Sequence, residues 1–154
     1  MTDQKTDFPP LLPVAGIYPH TLVDLRTLTV DAFPESERRP ALFGTLNIYL
    51  ELLEAAGLRA VVWVDGSFMC AKLEPDDIDL VILFDASAVD ALSGDALDVL
   101  NNLLNTSYVK SRFNLHVFPL ASDDEPGAEF WLQKFGTQRD EITPKGLAEL
   151  RVNQ

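Results

Sequence analysis

The stretch VDGSFMCAKLEPDDIDLVILFD, Val64 to Asp85, decides how this chain is read. Four carboxylates, Glu74, Asp76, Asp77 and Asp79, fall within six positions, and an apolar run to Phe84 follows directly. Carboxylates repel one another and lose hydration near a core, so the cluster calls for a positive partner. Strand alternation sends Asp77 and Asp79 out of one face, while Ile78, Leu80 and Ile82 point the other way, into a core. Two carboxylates side by side at a strand's start suit a divalent cation. Magnesium, or manganese in its place, prefers oxygen ligands and shares them with substrate phosphates.

Working outward, Gly66-Ser67 precedes Asp77 with nine residues between. Glycine there allows a sharp turn after the strand Ala60 to Val64 and a close approach to a ligand. A short helix expected at Phe68 to Ala71 would turn backbone amides toward an anion, and the serine hydroxyl adds a donor. Lys72, inside the same loop, either reaches a phosphate or is a solvated lysine offsetting Glu74 and Asp76. A phosphate cradle and a metal clamp at the ends of two neighbouring strands can together hold a nucleoside triphosphate with its metal.

The 154 residues fit one domain, 11–154, behind a polar, Pro-ended arm at 1–10. With 47% hydrophobic residues and nine Phe, wholesale disorder is excluded. No signal peptide or membrane span is expected, and a lone Cys70 suits a reducing cytoplasm. The net charge is −12, and Leu73 to Val109 carries eight acids without one Lys or Arg. Such a surface disfavours long DNA or RNA bound by this chain alone, and favours a metal-bearing nucleotide or a basic protein partner.

The clearest helix is RRPALFGTLNIYLELLEAAGLR, with Leu42, Leu46, Leu50 and Leu53 at helical spacing, Pro40 in its first turn and Gly57 as its stop. A short helix starts after Thr21. Ser87 to Leu104 is helical in pattern, bent or split at Gly94, and Arg112 to Phe118 alternates as a third strand. A helix around Glu129 to Phe135 and a strand from Leu147 to Val152 follow. The order predicts a two-layer α/β (α+β) fold, a small mixed sheet with helices packed on it. Trp63 belongs to the core, and Trp131 lies on a packing face with Phe130, Leu132 and Phe135. Arg139 and Lys145 read as solvated loop charges.

Gly-Ser, nine residues, then Asp-Ile-Asp-Leu between apolar strands resembles the DNA polymerase beta superfamily of nucleotidyltransferases. Within it the pattern is most similar to the minimal nucleotidyltransferases, small bacterial proteins often encoded as antitoxins beside a toxin. The core of the resemblance covers Ala60 to Phe84. LPVAGIYPHTL and TPKGLAELRV look like a branch of the same group and extend it over almost the whole chain. The resemblance implies that Gly66 and Ser67 hold the triphosphate and that Asp77 and Asp79 bind the metal. It also implies a third carboxylate from a later strand, which helps a second metal and takes the proton of the attacking hydroxyl. That position falls at about His116, an imidazole, which can act as a base but is a poorer magnesium ligand.

Three functions follow from the resemblance. One is transfer of a nucleoside monophosphate from a triphosphate, ATP by preference, to an acceptor on a partner toxin or effector in a toxin–antitoxin or phage-defence setting. A second is a catalytically weak or inactive antitoxin or regulatory subunit that neutralises its partner by contact. The third, synthesis of a nucleotide signal, ranks last, because no second domain is evident to hold an acceptor nucleotide.

Overall fold

The computed structural model describes residues 8–138 and 143–154 of the chain. Five strands form one mixed sheet: β1 Gly16–Pro19, β2 Ala60–Asp65, β3 Ile78–Phe84, β4 Leu115–Ala121 and β5 Gly146–Val152, in the order β1-β5-β2-β3-β4. The two outer pairs, β1 with β5 and β3 with β4, run parallel, and β2 is antiparallel to both its neighbours. Helices are α1 Leu22–Arg26, α2 Arg38–Ala55, α3 Ala86–Asp90, α4 Gly94–Leu103, α5 Thr106–Phe113 and α6 Glu125–Phe135. This is the mixed α/β class expected from the sequence.

β2 and β3 form where β-branched residues cluster, and both are almost wholly buried. Their inner face joins α2, α4 and α5 in the main core, where Leu46, Tyr49 and Leu53 meet Val62, Leu80, Ile82, Leu100, Val109 and Val117. Each such aliphatic side chain contributes about 1.5–3 kcal/mol by leaving water. On the other face α6 packs Phe135 over Trp63, Val81, Leu83 and Leu147, with Trp131 and Phe118 at the margin. Trp63 is thus a core residue and Trp131 a packing residue. The second face is covered only in part, and its uncovered end lies at the start of β3.

Local chemistry fixes the ends of the elements. Thr21 caps α1 through a reciprocal capping box with Asp24. Residues 91–93 separate α3 from α4, and Gly94, at φ +61°, opens α4, so the predicted helix is split beside Gly94. The parallel step from β3 to β4 needs a long crossover, which α3 to α5 supply.

Two expectations are corrected. Arg112 and Phe113 are not strand residues but the last turn of α5, capped at one end by Asn105 and ended by Asn114 in the left-handed region. The helix expected at Phe68 to Ala71 is a single 3-10 turn, Ser67–Met69, after which Cys70 bridges to Pro10. β1 has no counterpart among the strands expected from the sequence. The Pro9 carbonyl accepts from the Ala71 amide and the Leu11 amide donates to the Met69 carbonyl, on either side of the Pro10–Cys70 bridge. Residues 1–7 and Arg139 lie outside the described residues. Among the described residues no helix is long and apolar enough to cross a membrane.

Candidate metal centre

The sheet register lays a polar row across three strands. Asp65 at the end of β2 pairs with Asp79 of β3, and Asp79 pairs with His116 of β4. Residues paired in register share a face, so all three lie on the side that α6 leaves open. Asp77 precedes β3 by one residue and joins them. Asp77, Asp79 and His116 each offer a ligand atom within 4.8 Å of the others, which makes them a group able to hold a metal ion. Nδ1 of His116 stands 3.6 Å from Oδ1 of Asp79, beyond direct hydrogen bonding but within reach of a shared ion.

Burial and the neighbouring Asp77 charge push the Asp79 carboxyl above its ordinary value, with His116, Lys145 and Lys110 pulling it back. A positive charge between the two aspartates would remove that strain. The donor set, two carboxylate oxygens and an imidazole nitrogen, fits one divalent ion, and fits manganese better than magnesium because of the nitrogen. No third carboxylate stands where the resemblance places one. His116 occupies that strand position, as the sequence indicated.

Gly66 closes the row from above β2. It sits at φ +85°, and a Cβ there would lie 2.8 Å from Oδ2 of Asp79. The glycine allows a close approach, but the group that approaches is the Asp79 carboxylate, where the sequence reading expected a ligand. Ser67 follows at the head of the 3-10 turn, half-buried, its hydroxyl free of hydrogen bonds to described residues. The anion cradle is smaller than the sequence suggested. The amides of Met69, Cys70 and Ala71 already bond to Gly66, Ser67 and Pro9 carbonyls. The amides of Ser67 and Phe68 make no such bond among the described residues.

Lys72 is not brought to the cluster. Its carbonyl accepts hydrogen bonds from Nε and Nη2 of Arg39, and its side chain makes none with a described residue. The other acids of the opening stretch are also accounted for. Glu74 caps α2, accepting from the Ser36 hydroxyl and from the backbone amides of Glu37 and Arg38. Asp76 pairs with Arg38. Of the four carboxylates only Asp77 and Asp79 face the cluster.

Five residues whose roles sequence reasoning missed shape the site. Arg39 is fully buried and donates to the carbonyls of Thr29, Phe68, Cys70 and Lys72, with its guanidinium 3.9 Å from the Phe33 ring centre. It stitches the whole loop after Gly66 to α2. Asp65 is buried at the end of β2, where Lys145 Nζ approaches its Oδ1 to 2.7 Å. Lys145, expected to be a solvated loop charge, is therefore an internal counter-ion. Burial pushes the Asp65 carboxyl up to about 7, with Lys145 opposing; burial also works against the Lys145 ammonium, but the charge and hydrogen bond of Asp65, with Cys70 beside them, together hold it above its ordinary value. Lys110, on α5, forms an ion pair with Asp77 Oδ2. Asn114 Nδ2 donates to the Asp76 carbonyl at 2.7 Å and pins the loop just before Asp77.

One groove of about 490 Å³ runs between β5 and α2, lined by Pro19, His20, Glu54 and Arg151 among others, and none of the cluster's residues borders it. The Asp77, Asp79 and His116 cluster is instead a partly open surface at the strand ends. No curated protein and no solved structure is significantly similar to the chain. The family of unknown function DUF6932 matches residues 6–151, and the protein belongs to that family.

Proposed function

We propose that this protein is a metal-dependent nucleotidyltransferase of the DNA polymerase beta type, transferring a nucleoside monophosphate from a triphosphate to an acceptor. The observation that carries the reading is the convergence of Asp77, Asp79 and His116 within 4.8 Å beside the Gly66-Ser67 turn. Asp77 and Asp79 would hold the ion, with His116 as a nitrogen donor or as the base. A bound magnesium or manganese ion would offset the charge of the phosphates and polarise the phosphoryl group. Ser67 and the amides after Gly66 orient the phosphate tail. The acceptor oxygen bonds to the α-phosphorus, pyrophosphate leaves, and the acceptor's proton passes to His116. ATP is the proposed donor, and the acceptor is a hydroxyl on a partner toxin or effector, both by resemblance.

The imidazole at the third ligand position and the small cradle favour a second reading. In it the protein keeps metal and nucleotide binding without turnover and neutralises a basic partner through its acidic surface. Incubation with labelled triphosphates, manganese or magnesium and the neighbouring gene's product separates the two. Transfer that disappears in Asp77→Asn and Asp79→Asn supports the enzyme. Neutralisation that survives in the double variant, with no transfer in the wild type, supports the binding subunit.

A further inference from the structure

Three basic side chains act on Asp79 against the charge of Asp77: His116, Lys145 and Lys110. His116 belongs to the cluster. Lys145 is buried and fixed between Asp65 Oδ1, at 2.7 Å, and the Gly66 carbonyl, at 3.4 Å. Lys110 differs from both. Its side chain is 42% exposed, and Asp77 is its one ion-pair partner among the described residues. It is also the first cation after Lys72, at the end of the acidic tract. Arg112, two residues on, lies over the Tyr108 ring with its guanidinium 4.5 Å from the centre, so the two cations of the last turn of α5 have different partners.

The Lys110 ammonium thus occupies an oxygen of a proposed metal ligand. Asp77 and Asp79 bring two negative charges and Lys110 returns one. A divalent ion entering the cluster must break this pair or share the carboxylate with it, and in either case it competes with a positive charge already seated there. Exposed ion pairs on flexible side chains are weak enough to be exchanged in this way. A lysine stem attached to a helix can swing away without disturbing the strand.

We infer that Lys110 is a tethered competitor for the metal, seated on Asp77 while the site lacks its ion and displaced when a divalent cation binds. The inference rests on the metal-binding reading of the cluster above. It assigns Lys110 a role that neither a structural lysine nor a simple surface charge would have: its removal strengthens metal binding. Lysine at 110 keeps the aspartate pair tolerable in the empty protein and sets the metal affinity lower than two carboxylates alone would give.

The test is titration of the whole protein with Mn²⁺ alone, following free Mn²⁺ by electron paramagnetic resonance, for wild type, Lys110→Met, Lys110→Arg and Asp77→Asn. The expected result is about fivefold tighter Mn²⁺ binding in Lys110→Met, from loss of a competing exposed pair. Lys110→Arg, which keeps the charge, should stay near the wild type, and Asp77→Asn should lose the site. Equal or weaker binding in Lys110→Met, while Asp77→Asn still abolishes it, overturns the role of Lys110 and leaves the metal centre standing. Absence of Asp77-dependent Mn²⁺ binding in every variant overturns the metal centre and the inference with it.

Discussion

Gly66 and Asp79 touch across the top of β2 and β3: a Cβ on Gly66 would stand 2.8 Å from the Asp79 carboxylate, on a backbone already at φ +85°. Gly66→Ala is therefore penalised twice, by the left-handed backbone and by the carboxylate. We expect a loss of about 2 kcal/mol or more in denaturant unfolding, together with loss of Mn²⁺ binding because Asp79 must move. A Gly66→Ala protein with wild-type stability and metal affinity would show that the contact is not tight.

Asp79 is held in a place that suits a cation better than it suits the empty fold. Asp79→Asn keeps the shape and removes the repulsion with Asp77. The metal-free variant should be more stable than wild type, by on the order of 1 kcal/mol, and should no longer bind Mn²⁺. Thermal melts with and without the ion report both effects. Lower stability in the metal-free variant would mean that Asp79 is a structural carboxylate.

Lys145 and Asp65 form a pair that is costly to break from one side. Lys145→Met removes the counter-ion of the buried Asp65 carboxyl, which then takes up a proton, and should cost on the order of 2 kcal/mol at neutral pH. Adding Asp65→Asn should recover most of that loss. A double-mutant cycle measures the coupling, and additive losses would place the two charges outside each other's influence.

Glu74 gives the stability a pH dependence. The Ser36 hydroxyl, then the amides of Arg38 and Glu37, hold its carboxyl below the ordinary value. A lowered folded value means that the stabilisation is present above the unfolded pKa and is lost as pH falls through the folded one. Glu74→Gln should accordingly be less stable than wild type at neutral pH, and the gap should close in acid. A gap that widens as pH falls would reverse the assignment.

The aspartate pair was legible because strand alternation is local: once Ile78, Leu80 and Ile82 are core, Asp79 must face the other way. The glycine turn was legible for the same reason. What escaped the sequence was non-local. Asp65 ends an apolar run and looks like a turn residue until β5 and its preceding Lys145 fold against it. α5 has a weakly helical sequence, TSYVKSRF, and forms because Asn105 and Asn114 fix its two ends. With α5 unread, Lys110 could not be placed beside Asp77. β1 is four residues ending in proline at the sheet's edge, and its pairing with β5 joins the two ends of the chain. Arg39 lies within a helix legible from its leucines, and three of its four carbonyl partners come from a loop some thirty residues away.

The most direct measurement is a crystal of the wild-type protein grown with Mn²⁺ and a non-hydrolysable ATP analogue, read by anomalous scattering. The account predicts a manganese peak bounded by Asp77, Asp79 and His116, with the phosphates against Gly66 and Ser67 and Lys110 moved off Asp77. A nucleotide bound elsewhere, or a cluster still closed by Lys110 with no anomalous peak at saturating Mn²⁺, would contradict it.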